Sequence, residues 1–484
     1  MSSLKPLQWA GLVLGLGLAL YFVYTHVAFF GDVSFLGGIL MLEVIVITLW
    51  NYAERFFVLL MIAFTWAGLN VPLQGAWRGG GRWVVLAAGA VAGFIVWTRN
   101  PRRPFGSMHL IAFFCICAAF VSATVSMYIR MASLKAFSLF LLFLYCASGV
   151  RVAISGRENR FFHGLLWACE IAVYATAICY FGLGLSIWGN PNSLGAVASV
   201  AFFPVLFWGW LISEGPSLKF RRLVAVLLCT FLVLSSMARA GMVSVMLVTG
   251  VLCFCLRQYK LLVKAVALVL LLVAITGMFD PDTLDAHLGG LKDALLYKGH
   301  KGEGVLGSRR SPWDQSIAAI KEHPWFGTGF GTSPTGDDPG LDFGTVVSTH
   351  EANREHGSSY LSITEWVGLL GALPFVSLLG VTALNLWRVC VWMRRTANPR
   401  HYSIPLAMVV LAGLLHAGFE DWLFAVGYYL CVYFWSCAFM LADLVPEPAV
   451  APTTDMVSRT SRPLPAGFRA AVPHPAVPTP LSNR

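Results

Sequence analysis

The sequence predicts an all-α, polytopic membrane protein, and this prediction rests on composition and on apolar patterning. Of the 484 residues, 57% are hydrophobic and only 12% are charged, whereas a soluble domain has about 25% charged residues. The mean hydropathy is +0.70. Apolar runs close to the length of a spanning helix, about 20 residues, recur up to residue 444. We therefore assign residues 1–445 to one membrane-embedded domain with about fourteen spans, in a range of about twelve to fourteen.

Each predicted span is a run of mostly apolar residues. In chain order the spans are 7–30, 33–50, 56–71, 82–98, 108–128, 131–150, 163–185, 194–213, 222–237, 240–257, 261–279, 359–387, 404–419 and 422–444. After Lys5 and the first run there is no small-residue cleavage site, so we expect that helix to be retained. The 11 Cys lie in or beside these runs, which predicts packing residues and no disulfide framework.

Basic residues lie on alternate connections between the spans, and this alternation orients the chain. The connections rich in Arg and Lys are 99–103, 151–160, 219–222, 257–264 and 394–400. Connections 31–32, 186–192 and 416–421 are poor in them, and Arg78 and Arg82 form a mild exception. Because basic connections stay on the cytoplasmic side, both termini are predicted inside. The formal charge of +10 then reflects this bias, and we predict no nucleic-acid partner.

The long polar connection 280–357 lies between the eleventh and twelfth spans and is predicted outside. It carries the densest mixture of Arg, His, Asp, Glu and Gly in the chain. Long connections without secondary structure of their own are usually functional, so we expect any chemistry to lie here. The segment 446–484 contains nine Pro and no apolar run, which predicts a disordered cytoplasmic tail.

The polar connection contains a short helix signal beside two arginines. Ser311 suits an N-cap, Pro312 the first helical position and Asp314 the first turn. Arg309 and Arg310 directly precede this predicted start. A helix N-terminus attracts anions and guanidinium groups strengthen that attraction, so we interpret the pair as a phosphate or pyrophosphate site. Contact with lipid headgroups is the alternative interpretation.

Three further patterns in the connection exclude common functions. The turn with Gly327, Gly329 and Gly331 lacks the Lys-Ser/Thr of a phosphate-binding loop, and no strand precedes it. This excludes a nucleotide site and leaves a turn that brings backbone near a ligand. His350-Glu-Ala-Asn-Arg354 has Arg in place of the second zinc-binding His, which excludes a zinc protease. The acidic residues are interpreted as solvated, so we predict no metal and no cofactor; they are Asp337, Asp338 and Asp342.

Two more residues stand out at the predicted outer boundary. His356 lies where the polar connection meets the next span, and a His there can exchange a proton near neutral pH. Arg239 lies between two apolar runs. An Arg at the edge of a span costs a few kcal/mol unless it is compensated, so a functional or paired role is expected.

Taken in order, these residues resemble the bacterial O-antigen ligases and Wzy-type polysaccharide polymerases over roughly residues 186–375. The motifs that carry the resemblance are Asn190-Pro-Asn192, Ser236…Arg239, Arg309…Trp313, Pro324…Gly331, His356…Leu361, Glu365 and Gly368…Gly371. Two positions depart from the family pattern. Gly357 stands where the family has Asn, and the serine–arginine step is Ser-Met-Ala-Arg, which leaves the role of Ser236 open.

The resemblance implies a GT-C-like, inverting and metal-independent glycosyltransferase in the bacterial inner membrane. Its donor would be a glycan on undecaprenyl pyrophosphate, presented at the periplasmic face. His356 would be the general base. The donor pyrophosphate would be bound by Arg239 and Arg309, with Arg310 a weaker candidate. The residues expected to support the substrate or the loop are Tyr360, Glu365, Gly327 and Gly329.

Within this family we favour a polymerase that joins repeat units into an exopolysaccharide or O-antigen. A ligase that transfers finished glycan to lipid A-core uses the same donor chemistry and stays open. A polysaccharide flippase is the alternative from another class, because transporters carry ionisable residues within the membrane, and Glu43 and Glu170 are candidates. The expected partners are the lipid-linked glycan and the bilayer, with a chain-length regulator as a further candidate.

Overall fold

The computed structural model describes residues 50–70, 77–99, 105–264, 267, 307–333 and 354–446, and the elements assigned within them are all helical. The α-helices are α1 (Phe56–Gly68), α2 (Trp77–Arg99), α3 (Ser107–Ala123), α4 (Ile129–Ile154), α5 (Glu158–Ala177), α6 (Pro191–Ala196), α7 (Phe203–Leu211), α8 (Pro216–Ser235), α9 (Arg239–Cys255), α10 (Gly307–Glu322), α11 (Ser359–Thr396), α12 (Ser403–His416) and α13 (Tyr429–Leu444). A 3₁₀ helix precedes α1 at Trp50–Arg55, and π-helical turns follow α5 at Ile178–Gly182 and α6 at Val197–Phe202.

The described helices identify a multi-pass membrane protein. Five are long and apolar enough to cross a membrane: Gly80–Arg99, Ile129–Ile154, Glu158–Gly182, Pro191–Leu211 and Ser359–Thr396. Four shorter apolar helices accompany them: α3, α9, α12 and α13. The predicted span 7–30 and all but the last residue of the predicted span 33–50 lie outside the described residues. So do most of span 261–279, most of connection 280–357, and the tail after Pro446. The number of fourteen spans therefore stays a prediction.

The last predicted span begins later than expected. The sequence predicts a start at residue 422, but α13 starts at Tyr429. The preceding residues fold irregularly because they close over the start of α11. The Ser359 amide donates to the carbonyl of Ala417 at 2.8 Å, and the Leu423 amide donates to Ser359 Oγ at 3.0 Å. Local hydrophobicity could not reveal these partners, which lie about sixty positions apart.

Small residues allow close packing where the central helices cross. A Cβ atom added to Gly93 on α2 would lie 2.4 Å from Gly149 Cα on α4. Helices in lipid gain no hydrophobic free energy by associating, because the lipid tails are as apolar as their side chains. They associate instead through close packing, which small residues permit. Both α12 and α13 are buried along nearly their whole length, so they form the centre against which the other helices pack.

Two buried groups of charged side chains form ion pairs between the described helices. Arg151 donates two hydrogen bonds of 2.8 Å to Asp443. Glu170 lies 3.0 Å from Arg221 and 3.3 Å from Arg222. The carboxylate that a flippase was expected to use is therefore neutralised by two guanidinium groups. Glu43, the second candidate for such a role, lies outside the described residues.

The helix α11 is broken near its start. Gly368 adopts φ 67° and ψ 178°, far from helical values. The break deprives nearby carbonyl groups of their helical donors, and unpaired backbone groups at membrane depth are costly. The turn 324–331 supplies the missing partners, since Thr328 and Gly329 donate backbone hydrogen bonds of 3.0 Å to the carbonyls of Glu365 and Trp366. In return, the Leu369 amide donates to the Pro324 carbonyl at 2.7 Å.

Candidate functional site

The turn 324–331 fits against the broken helix because its glycines lack side chains. Gly327 has φ +74°, and a Cβ atom there would lie 2.4 Å from the carbonyl oxygens of both Glu365 and Trp366. Gly329 has φ +111°, and its Cβ would lie 2.2 Å from Ser126 Cβ. Glycine is the residue that combines positive φ with such close approach. The expectation that this turn brings backbone near a ligand stays a prediction, whereas its contact with α11 is direct.

The helix α10 begins one turn earlier than the sequence predicted. It starts at Gly307, so Pro312 lies inside the helix instead of at its first position. Arg309 consequently lies within the first turn and does not precede the helix. Further along, Trp313 Nε1 donates to the Gly357 carbonyl at 3.2 Å, which fastens α10 to the segment that leads into α11.

Arg309 lies at the centre of a charged network. Its Nη1 donates to Glu355 at 2.8 Å, and its Nη2 donates to Glu420. The guanidinium is largely buried, with 13% of the side chain exposed. Arg239, at the start of α9, is close enough for its charge to be repelled by that of Arg309. Arg310 is exposed, so the structure brings two of the three predicted arginines together and leaves the third at the surface.

His356 lies in the same network and is fully buried. Its Nδ1 lies 3.2 Å from Asp421 Oδ2, and its backbone amide donates to the same oxygen at 3.1 Å. Its Nε2 lies 2.9 Å from Ser333 Oγ and 3.4 Å from Glu365 Oε1. The indole of Trp366 packs edge-on against the imidazole at 5.4 Å. Both ring nitrogens therefore have fixed neighbours.

Glu365 and Tyr360 hold the beginning of α11 in place. Glu365 is fully buried, and its Oε2 accepts a 2.5 Å hydrogen bond from Arg354. Arg354 also contacts Ser316 on α10 at 3.3 Å. The Tyr360 hydroxyl donates to the Leu414 carbonyl at 2.5 Å, so Tyr360 anchors α11 to α12. Its predicted role in supporting the substrate stays a prediction.

The two departures from the family pattern have local explanations. Gly357 has φ +66°, a conformation that Gly and Asn adopt more readily than other residues, so Gly preserves the backbone where the family has Asn. Ser236 is buried and forms a turn. Its Oγ donates to the Val233 carbonyl at 2.7 Å and accepts from the Ala238 amide at 3.3 Å. Ser236 therefore shapes the connection that presents Arg239.

The Asn-Pro-Asn turn packs directly against that connection. The Asn190 side chain accepts a 2.7 Å hydrogen bond from the Ser193 amide and caps α6. A Cβ atom added to Gly195 would lie 2.3 Å from Ala238 Cβ and 2.6 Å from Ser236 Oγ. Motifs that are far apart in the sequence are thus neighbours around Arg239.

Burial and charge act against each other on the titratable groups. Burial alone would lower the pKa of His356, but the carboxylates of Asp421 and Glu365 outweigh it and raise that pKa above its ordinary value. Burial alone would raise the pKa of Asp421, and its hydrogen bonds with His356 lower it instead. Burial raises the pKa of Glu420, although Arg309 opposes the shift. His356 and Asp421 therefore stabilise each other's charged forms.

The sequence did not indicate five residues of this network: Ser333, Arg354, Glu355, Glu420 and Asp421. In the sequence, Arg354 stands out only as the residue that breaks the zinc-protease pattern. Glu420 and Asp421 form an acidic pair beside Trp422 between the last two predicted spans. Ionisable residues within membrane spans are rare and often functional, and this pair directly adjoins two predicted spans, so it is a usable signal. Ser333 carried none.

Comparison with known families identifies part of the chain. Residues 224–376 match the family model described as O-Antigen ligase. This match confirms the resemblance to the O-antigen ligase and Wzy superfamily. It covers roughly a third of the 484 residues and includes Arg239, Arg309 and His356, whereas Glu420 and Asp421 lie beyond its end. No curated protein matches the chain.

Proposed function

We propose that this chain, whose residues 224–376 form an O-antigen ligase family domain, is an inverting, metal-independent membrane glycosyltransferase. Its donor is a glycan on undecaprenyl pyrophosphate, and the reaction takes place at the periplasmic face of the bacterial inner membrane. The enzyme transfers the glycan from its carrier to a sugar hydroxyl. Because the donor arrives already activated, the reaction needs neither a nucleotide nor a cofactor.

One observation carries this proposal. Two dipeptides, Glu355-His356 and Glu420-Asp421, each give one residue to Arg309 and the other to the hydrogen-bonded pair of His356 and Asp421. An anion-binding guanidinium and a titratable imidazole are thereby held in one network. A leaving pyrophosphate requires the first group, and an attacking hydroxyl requires the second.

The arginines suit a leaving group that gains negative charge. As the glycosidic bond to the pyrophosphate breaks, charge develops on the phosphate oxygens, and preorganised cations in a water-poor site stabilise it. Arg309 is already oriented by Glu355 and Glu420. These carboxylates occupy donors that phosphate oxygens would use, so they hold the guanidinium in position before the donor binds. Arg239, within range of the Arg309 charge, adds a second cation.

His356 is the proposed base for the acceptor hydroxyl. Asp421 lies at Nδ1, which fixes that nitrogen as the protonated one and leaves the Nε2 lone pair for the proton of the acceptor. Ser333 Oγ now lies 2.9 Å from Nε2. A serine hydroxyl is chemically a stand-in for the attacking sugar hydroxyl, so the acceptor would replace Ser333 at this position. The new glycosidic bond forms as Nε2 takes the proton and the pyrophosphate leaves.

Glu420 is a second candidate for the base. Its side chain is 21% exposed, whereas that of His356 is not exposed at all. Burial also raises the pKa of Glu420, which strengthens it as a base. We rank it second because its Oε1 already binds Arg309, and deprotonation of the acceptor would compete with that ion pair.

We favour the polymerase over the ligase, as the predicted number of spans does, and the acceptor is then a second lipid-linked repeat unit. Supplying purified protein with lipid-linked repeat units alone separates the two functions. A polymerase lengthens the glycan in this assay, whereas a ligase requires lipid A-core. A flippase is disfavoured because Glu170, a carboxylate it would use, is bound by Arg221 and Arg222.

The function is tested with purified protein and lipid-linked glycan, scoring donor binding and product formation separately. We expect His356→Ala to bind donor and to lose about a hundred- to ten-thousandfold in turnover, the usual contribution of general-base catalysis. Ser333→Ala should retain turnover, because it removes only the group that the acceptor replaces. Near-normal turnover of His356→Ala, together with inactive Glu420→Gln, would transfer the role of base to Glu420.

A further inference from the structure

A long groove lies between α1 and α5, and its described lining shares no residue with the charged network around Arg309. Its volume is about 760 Å³. We call it the α1–α5 groove and define it by Val58, Ile62 and Trp66 on α1 and by Phe161, Gly164 and Ala172 on α5. The three α1 residues are four positions apart and exposed, so they form one apolar stripe along the helix.

The groove runs along the helices and not across them. Its lining extends from Glu54, in the 3₁₀ helix before α1, to Leu69, directly after α1, and from Arg157, directly before α5, to Ala172 on α5. Fifteen residues at a rise of 1.5 Å correspond to about 22 Å, which exceeds half of the bilayer hydrocarbon core of about 30 Å. The groove is therefore deep enough for an acyl chain that crosses one leaflet.

The charges of the groove are confined to one end. Among its described lining residues, the charged ones are Glu54, Arg55, Arg157 and Arg160, and an ion pair of 3.3 Å between Arg157 and Glu54 places them at one level. The far end is aromatic and includes Trp188 and Tyr429. The charged end therefore carries three guanidinium groups and one carboxylate, and we call it the arginine rim. We call the apolar remainder of the groove the slot.

We propose that the α1–α5 groove binds an anionic glycerophospholipid, with its phosphate at the arginine rim and its acyl chains along the slot. Basic pockets between membrane helices bind anionic headgroups in this way. The position of the arginines, at one end of the groove, distinguishes a phospholipid from the isoprenoid tail of a donor. A donor tail would place its pyrophosphate at the end nearer Arg239. This is the end with Trp188, because the Asn-Pro-Asn turn that follows Trp188 packs against the connection before Arg239, and the described lining of that end is uncharged. This inference does not depend on the proposed transferase activity.

The test measures lipid binding to the purified full-length protein by native mass spectrometry, with cardiolipin and phosphatidylcholine of equal chain length as probes. Cardiolipin should bind more tightly. The double variant Arg157→Gln, Arg160→Gln should weaken cardiolipin binding by about thirtyfold, at about 1 kcal/mol for each arginine. The matched control is Arg388→Gln, Arg395→Gln, which removes the same charge from exposed positions of α11 and should leave binding unchanged.

A second variant fills the slot itself. A Cβ atom added to Gly164 meets no atom within 4 Å, so Gly164→Trp should occupy the groove without disturbing the fold and should abolish lipid binding. Gly380→Trp is its control, because Gly380 on α11 is equally open. Wild-type cardiolipin binding by both groove variants would overturn the proposal, and so would equal affinity for the two probes. Displacement of cardiolipin by undecaprenyl pyrophosphate would instead assign the groove to the donor tail.

Discussion

Replacement of Gly327 by alanine tests whether the turn 324–331 builds the site. The added Cβ would lie 2.4 Å from the carbonyl oxygens of Glu365 and Trp366 at φ +74°, and neighbours this close must move. Left-handed backbone costs a residue with a Cβ about 1–2 kcal/mol. Displacing the turn would also weaken two backbone hydrogen bonds, from Thr328 and Gly329, each worth about 1 kcal/mol. The expected loss of stability is therefore about 3–4 kcal/mol.

The assay follows unfolding of the purified protein in a denaturant series, and turnover is scored per folded molecule. Gly380→Ala is the control, because a Cβ atom there meets nothing within 4 Å. We expect Gly327→Ala to be destabilised and to transfer glycan poorly even when folded, since Glu365 and His356 are positioned through the same contacts. If Gly327→Ala unfolds like the control and keeps full turnover, the turn does not support the site.

Three further predictions concern charge, proton transfer and topology. Arg309→Lys should be clearly impaired and Arg309→Ala nearly inactive, because Lys keeps the charge and loses the planar fork; exposed Arg310→Ala is the control and should transfer glycan normally. Since neighbouring carboxylates raise the pKa of His356 and a base must be neutral, activity should fall as pH decreases through a value above about 6.5. Asp421→Asn should move that acid limb to lower pH in a pH–rate profile, and an unmoved limb would show that His356 is not the group titrating. A Gly340→Cys variant should react with an impermeant thiol reagent from the periplasmic side, and labelling only from the cytoplasm would contradict the predicted topology.

The sequence predicted those parts of the structure that depend on local composition. The apolar runs around α9 and α12 place these helices within a few residues of their observed bounds. The order of motifs also indicated that Arg239, Arg309 and His356 belong to one site. In contrast, the break at Gly368 depends on partners in the turn 324–331, about forty positions upstream, and a glycine in an apolar run does not reveal them.

The acidic half of the site escaped prediction for a related reason. Glu420 and Asp421 lie outside the segment that carries the family resemblance. The connection that contains them is poor in basic residues, and this property predicts only its side of the membrane. Their importance arises from pairing with Arg309 and His356 across more than sixty positions. Arg310 shows the reverse error. Because Arg310 is adjacent to Arg309 in the sequence, we predicted that both bind the pyrophosphate. Successive residues of a helix point in different directions, however, and Arg310 is exposed.

The broken helix α11 also has a consequence for biosynthesis. The Thr328 and Gly329 amides are translated before the Glu365 and Trp366 carbonyls to which they donate. When α11 leaves the ribosome, the chain that satisfies its interrupted segment is therefore already made. The nascent protein need not hold bare peptide groups in lipid while it waits for a later segment. Moving the turn behind α11 by circular permutation would remove that advantage while leaving the finished contacts unchanged.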